Sequence, residues 1–204
     1  MFYLIIKRFL DIIFGIIGLI FLVPITIIIK IVYVCTGDFH SVFLKQKRIG
    51  KNGKEFWFIK YRTMVIQAEK KLPALLDSNP ELKKEYEEYK KLKNDPRITK
   101  PGKLIRKLSL DEMPQFLNVL IGNMSLIGNR PYLPQEKKDM GKYFSSIVSV
   151  KPGITGYWQV SGHNETTFKE RLKLEEEYAK KASLSLDFKI FFKTFGVILR
   201  KKGI

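Results

Sequence analysis

The chain has 204 residues, with 37 Lys and Arg against 20 Asp and Glu and a formal charge of +17. That is length enough for one domain with a full core and one appended segment, and charge enough to favour phosphates, nucleic acid or anionic lipid headgroups. A single cysteine, Cys35, excludes an internal disulfide framework, and with only His40 and His163 beside it no Cys/His zinc cluster can be assembled, so a metal here should be hard and oxygen-bound.

The first element selects among those anionic partners. Ile12 to Ile29, eighteen residues, carries no charge and one hydroxyl, Thr26, which approaches the length of a membrane helix. No small-residue cleavage site follows it, so a secretory signal is not expected. Lys7 and Arg8 precede the run and Lys30, Lys45, Lys47 and Arg48 follow it, so the positive-inside bias pulls both ends to the cytoplasm. Pro24 removes one backbone bond inside the run and favours a kink. The residues allow two forms: a re-entrant helix that returns to its own face at Pro24, or a kinked single span.

Residues 41–51 and 55–64 read as two strands around Lys51-Asn52-Gly53, where Asn-Gly supplies the positive φ of a tight turn. Lys60 and Arg62 share one face if the return strand is regular, and a solvated cationic surface is the simplest reading of that face. Residues 65–93 are expected to be helical and charged, interrupted at Pro73 and at Ser78-Asn79-Pro80, giving one short helix and a longer one from Pro80.

The stretch from Asn94 to Pro134 gathers the chemistry: Arg97, Lys100, Lys103, Arg106 and Lys107, then Asp111-Glu112, then a Gly-Asn-Arg-Pro turn ending in Arg130-Pro131. Ser109 with Glu112 three residues on fits a capping box. Pro114 sits badly in a helix capped at Ser109, and a start nearer Asp111 tolerates it better. At such a helix mouth a carboxylate is placed to bind Mg²⁺ or to attack phosphorus. Asp111 and Glu112, about 100° apart on a helix, should then have different tasks.

Five ordered blocks now carry a resemblance: the apolar N-terminal helix with its proline, VFLKQKRIGKNGKEFWFIKYRTM, DPRITKPGKLIRKLSLDEMPQFLNVLIGNMSLIGNRP, KPGITGYWQVSGHN, and SLSLDFKIFFKT. Together they resemble the bacterial sugar transferase family, the monotopic polyprenyl-phosphate phosphoglycosyl transferases, over nearly the whole chain. The resemblance implies transfer of a phosphosugar from a nucleotide diphosphate sugar, most simply a UDP-sugar, to undecaprenyl phosphate with release of UMP. Asp111 matches the family's nucleophile, which would hold the phosphosugar covalently in a ping-pong reaction, and Glu112 its dyad partner, as base or as positioning group. Mg²⁺ is the implied cofactor, with Asp111 as its protein ligand. Lys60, Arg106 and Arg130 match positions needed for activity and would meet the phosphates. Asp187 also matches a functional position, although a helix cap or a lysine's partner reads nearly as well. For Arg62 and Arg97 phosphate binding and structural pairing stay open.

The chain departs from the family pattern in three places. Asn129 stands where a proline is usual, and is expected to tolerate the turn and keep Arg130 in place. His163-Asn164 replaces Arg-Asn, removing a permanent cation. Val23 precedes Pro24 where a small hydroxyl residue is common, leaving less side-chain help at the break. At the C-terminus LKLEEEYAKKA reads as a helix. FKIFFKTFGVILRKKGI, with Lys189, Lys193, Arg200, Lys201 and Lys202, reads either as an amphipathic helix in a headgroup layer or as a core helix with a basic edge.

The expected fold is α+β and membrane-associated. A re-entrant hydrophobic helix over 1–35, broken at Pro24, leads into a compact, mostly helical catalytic domain over 36–204 with a small β-hairpin and amphipathic interfacial helices. The expected setting is the inner leaflet of the bacterial cytoplasmic membrane with the catalytic domain in the cytoplasm. The expected partners are a UDP-sugar, undecaprenyl phosphate and a second copy in a homodimer, with no nucleic acid. The absence of extra N-terminal spans reads as the minimal catalytic form. The competing class is a noncatalytic, membrane-tethered binder that uses its basic surface.

Overall fold

A computed structural model describes residues 2–161 and 166–199. Its longest element is α1 (Phe2–Cys35), helical through Pro24 and apolar enough to cross a membrane by length and composition. Its buried residues, Asp11, Gly15, Gly18, Leu22, Ile29 and Tyr33, recur at intervals of three, four and seven and so form one stripe. The other faces carry exposed Phe9, Ile16, Ile20, Phe21 and Ile27. Beside Pro24 the Leu22 carbonyl accepts from the Thr26 hydroxyl at 2.7 Å and the Tyr61 hydroxyl at 3.3 Å. Both bonds fall within one turn of Pro24 but on a carbonyl other than that of Ile20, the one whose amide partner the proline removes.

The hairpin forms with β1 (Phe43–Ile49) and β2 (Glu55–Tyr61) antiparallel, Phe43 opposite Tyr61 and Ile49 opposite Glu55. Its turn is one 3₁₀ unit, Lys51–Gly53, with Asn52 at φ 58° and Gly53 at φ 76°, the left-handed pair that Asn-Gly provides. Next come α2 (Ala68–Asp77) and α3 (Pro80–Tyr89), equal in length. This corrects the expected short and long pair, because Pro73 is accommodated inside α2 instead of ending a helix. The boundary at Asn79-Pro80 holds: the Asn79 side chain accepts from the amides of Glu81 and Leu82, and Pro80 takes the first helical position.

Helix α4 (Lys100–Lys107) is capped by Thr99. Its Gly102 lies so close to the Thr63 carbonyl that an added Cβ would come within 2.0 Å of that oxygen. After α4, Ser109 adopts φ 53° and makes no capping bond, Leu110–Glu112 form a 3₁₀ turn, and α5 (Gln115–Ile121) begins only after Pro114. Both helix starts expected from the sequence are therefore corrected. A helix begun at Ser109 would lose the Pro114 amide and clash with its ring; the chain instead tightens into the 3₁₀ turn before the proline and restarts behind it.

A parallel pair follows that the sequence did not announce, β3 (Ser125–Ile127) beside β4 (Gly153–Thr155). Between them lie α6 (Lys137–Met140) and α7 (Phe144–Ile147). The chain closes with α8 (Tyr157–Ser161), α9 (Phe168–Lys181) and α10 (Leu184–Leu199). In helix α10 Ile190 is buried, while Phe188, Phe192 and Phe195 are exposed. Arg200, Lys201, Lys202, His163 and Asn164 lie outside the described residues.

The stripe of α1 packs along the whole body. Leu22, Ile29 and Tyr33 share a core with Val42, Tyr61 and Ile105. Phe116 and Leu120 of α5 sit where side chains at Gly18 and Gly15 would be, a Cβ on Gly18 falling 2.4 Å from the Phe116 ring. Arg8 donates to the Val119 and Leu120 carbonyls at 2.6 and 2.7 Å, in the last turn of α5, where the Val119 carbonyl also takes the Gly122 amide. Asp11 accepts from the Ser125 hydroxyl at 2.9 Å and the Leu126 amide at 2.8 Å.

Candidate active site

The site lies where the end of β2, the end of α4 and the 3₁₀ turn meet. The amides and carbonyls of β2 are held by Asn118 of α5, whose Oδ1 accepts from the Ile59 amide at 3.1 Å and whose Nδ2 donates to the Trp57 carbonyl at 2.7 Å. This fixes Lys60 relative to α5 and the turn before it. The close seat of Gly102 on Thr63 brings the last turn of α4 down, and Arg106 Nε donates to Thr63 Oγ1 at 2.9 Å.

Asp111 and Glu112 face this group from the turn. Burial pushes the Asp111 carboxyl above the usual range, opposed by the charges of Lys60 and Arg106. Burial, then the Asp111 charge, pushes Glu112 up to about 7, opposed by Arg130 and Lys60 and by a hydrogen bond from buried Gln115. Burial and then Arg48 and Arg106 bring the Lys60 ammonium down to about 8. Arg106 is lowered by burial and restored in part by Asp111.

Arg130 enters from the segment after β3. Its amide donates to Glu175 Oε2 at 2.7 Å, and its guanidinium lies over the Trp158 ring at 5.6 Å. Asn129 is buried, donates to the Ile147 carbonyl at 3.1 Å and accepts from the Gly153 amide at 2.8 Å. It serves as a bridge to β4, without the positive φ that a turn role would use.

Arg48 is the residue that sequence reasoning missed. It is buried, donates to the Pro131 carbonyl at 3.0 Å and Gln46 Oε1 at 2.6 Å, and stacks on Phe58. Burial and the neighbouring Arg130 bring it down to about 10. The hairpin register held the signal, because Arg48 opposite Phe56 puts it on the face of Phe58 and Lys60. That face is no solvated surface.

The remaining expected positions separate from the cluster. The strand ends at Tyr61, so Arg62 leaves the Lys60 face and pairs with Asp38 at 2.8 and 3.1 Å over the Tyr33 ring. Arg97 pairs with Asp95 at 2.8 and 2.5 Å. Asp187, expected beside the phosphates, instead accepts from Tyr3 at 2.9 Å, Lys7 at 2.5 Å and Tyr178 at 2.7 Å. Its position four residues into α10 directs it to the start of α1, where Lys7 is its partner. Pro24 lies in α1, near Tyr61, the neighbour of Lys60.

Two carboxyls thus stand among four cations, Lys60, Arg48, Arg106 and Arg130. None of the four is salt-bridged to a carboxylate among the described residues. Desolvated cations that outnumber the carboxyls beside them favour a multiply charged anion. A carboxylate within that field is placed to attack an electrophilic phosphorus whose charge the cations share.

Comparison with known proteins agrees with the class. The sequence model of the bacterial sugar transferase family matches residues 2–201, and the chain belongs to that family. It is 41% identical over 199 residues to an uncharacterized sugar transferase of Haemophilus influenzae, covering 98% of this chain and 42% of that protein. It is 41% identical over 197 residues to an undecaprenyl-phosphate galactose phosphotransferase of Salmonella typhimurium, covering 97% and 41%. An exopolysaccharide production protein ExoY of Sinorhizobium fredii is 36% identical over 197 residues, covering 97% and 87%. The chain spans about two fifths of the length of the first two relatives.

Proposed function

We propose that this protein is a sugar-phosphate transferase that moves a phosphosugar from a UDP-sugar to undecaprenyl phosphate at the cytoplasmic face of the bacterial inner membrane. The observation that carries the reading is the set of desolvated, unpaired cations around Asp111. The relatives named for undecaprenyl-phosphate and lipid-carrier sugar transfer supply the substrate class.

In the first half-reaction an Asp111 oxygen bonds to the phosphorus that bears the sugar. The bond from that phosphorus to the bridging oxygen breaks, and UMP leaves with the electron pair. Lys60, Arg106 and Arg130 hold the charge as it moves to the leaving phosphate. In the second half an oxygen of undecaprenyl phosphate attacks the same phosphorus and frees Asp111. Glu112, held near neutrality, is matched to taking a proton from the acceptor phosphate before that attack. Covalent relay lets a water-soluble donor and a lipid acceptor use one site in turn.

The donor set suits Mg²⁺ that arrives with the nucleotide, since one carboxylate plus substrate phosphates is its common arrangement and no cluster of three or more His, Cys, Asp or Glu exists among the described residues. Asp111 would hold it, and the ion would neutralise diphosphate charge.

Helix α1 is read as re-entrant. Support comes from contacts at both of its ends: Lys7 reaches Asp187, and Tyr33 donates to the Arg62 carbonyl. A helix crossing the bilayer cannot keep both ends on a domain that lies on one side. The deciding experiment is UMP release in nanodiscs with Mg²⁺, undecaprenyl phosphate and a panel of UDP-sugars. Release with one donor that vanishes in Asp111→Asn is expected; binding of anions without release by folded protein favours the noncatalytic binder.

A further inference from the structure

The transfer reaction leaves one buried carboxyl unused, Glu175 of α9, which is 2% exposed. Its Oε2 takes the Arg130 amide at 2.7 Å. The Arg130 guanidinium lies over Trp158, and the same indole carries Arg171, 4.4 Å from the ring centre and one helical turn before Glu175. Glu175 therefore sits among two guanidiniums, yet is salt-bridged to neither among the described residues. Arg130 Nε, Arg171 Nε and the Tyr132 hydroxyl are buried without hydrogen-bond partners. The segment is also held on both sides of Arg130, by Gly153 on the Asn129 carbonyl and by Arg48 on the Pro131 carbonyl.

A carboxylate paired with the Arg130 side chain would spend the charge that a phosphate needs. Here the carboxyl binds only the main chain. We propose that Glu175 is the positioning residue of Arg130, fixing its backbone through the amide while leaving its guanidinium charge to the donor diphosphate. The proposal rests on the phosphate-transfer reading above.

The charge state of Glu175 decides whether it helps or competes. Burial pushes its carboxyl up to about 8, opposed by the Arg130 amide and by the charges of Arg130 and Arg171. Near neutrality it is an uncharged acid whose oxygen still accepts the amide. Above about 8 it becomes an anion beside Arg130. The groups facing it among the described residues are Arg130 and Tyr132 from the segment after β3 and Arg171 from its own helix. The flanking α7 and α8 bring no charged side chain, the 3₁₀ turn Gly141–Tyr143 that also packs on α9 carries Lys142, and Lys91 lies over the Trp158 indole, 6.0 Å from its centre.

The chain has two tryptophans, so Trp57→Phe leaves Trp158 as a reporter beside Arg130. Inorganic pyrophosphate is titrated against Trp158 emission from pH 7 to 9, with and without Glu175→Gln, in nanodiscs. If ionised Glu175 opposes pyrophosphate by about one pKa unit, affinity should fall about tenfold more across this range in the parent than in Glu175→Gln. The ionisations of pyrophosphate, of Lys60 and of Lys91, which burial and then Arg171 and Arg130 bring down to about 8 beside Trp158, are common to both proteins and cancel in that comparison. Identical pH profiles would overturn the proposal while leaving the phosphate site intact. Failure of the parent to bind pyrophosphate at pH 7 would overturn the phosphate reading and the proposal together. Should Glu175→Gln not fold, Glu175→Asp keeps the carboxyl but shortens the reach to the amide. It should weaken binding at pH 7 by about fivefold, on the scale of one hydrogen bond between uncharged groups, and an unchanged affinity would overturn the proposal.

Discussion

Lys7 Nζ lies 2.5 Å from Asp187 Oδ2, joining the first helix to the last, and both side chains are mostly buried. The pair places Asp187 in the attachment of α1, apart from the carboxyls of the site. Asp187→Ala should therefore cost about 3 kcal/mol, because it leaves a buried ammonium without its partner. Thermal unfolding in nanodiscs measures this, and the donor KM of the surviving enzyme should stay within about twofold of the parent. A large KM rise without loss of stability would return Asp187 to the phosphates.

Asp111→Asn should abolish turnover by at least about 10³-fold, and Glu112→Gln should lower it by about 10²-fold, the usual scale for loss of a nucleophile and of a proton acceptor. In the parent enzyme kcat should rise with pH to a midpoint near 7 as Glu112 ionises, and this limb should vanish in Glu112→Gln. Steady-state UMP release across pH 5.5 to 8.5 reads both effects.

The same carboxyl should weaken the fold. Its folded pKa of about 7 lies above the ordinary 4.5, so its contribution to stability is full below 4.5 and is lost as pH rises through 7. Ionising it in place costs about 3 kcal/mol. Glu112→Gln is expected to raise Tm relative to the parent at pH 8, with little difference at pH 4.5, as measured by differential scanning calorimetry.

Gly18 tests the seat of α1 on α5. An alanine methyl would fall 2.4 Å from the Phe116 ring, so Gly18→Ala should destabilise by about 1–3 kcal/mol through overpacking. Adding Phe116→Leu should recover part of the loss. A neutral Gly18→Ala in thermal unfolding would show that α1 packs elsewhere.

Topology is open to labelling. Cys35 is the only cysteine and is exposed at the end of α1. With a second cysteine introduced as Phe2→Cys, a membrane-impermeant maleimide should reach both ends from the cytoplasmic side of inverted vesicles and neither from outside intact cells. Labelling of one end from each side would establish a crossing helix.

Where local chemistry decides, the sequence was readable. Asn52-Gly53 can adopt the left-handed pair that the hairpin needs, and Asn79-Pro80 can only begin a helix well, so both features stand where expected. The strands β3 and β4 have three residues each and lie far apart in the chain, so no periodicity marks them. At Ser109 a capping pattern met Pro114, and the missing amide won. Within the site, Lys60, Arg106 and Arg130 gather about Asp111 and Glu112, whereas Arg48 was hidden because its burial depends on the Pro131 carbonyl and the Phe58 ring. Asp187 carried two readings, a phosphate position and a lysine's partner, and no local signature could choose between them because the partner, Lys7, lies 180 residues away.

Helix α1 supplies Leu22, Ile29 and Tyr33 to the core that also holds Val42, Tyr61 and Ile105. Cutting the chain at residue 36 to obtain a water-soluble enzyme would strip one wall from that core and bare Phe116 and Leu120 as well. The product would be a sticky fragment prone to aggregate. Preparation for biochemistry must keep the first 35 residues and find an amphiphile that shields the outer faces of the helix while leaving its inner stripe seated.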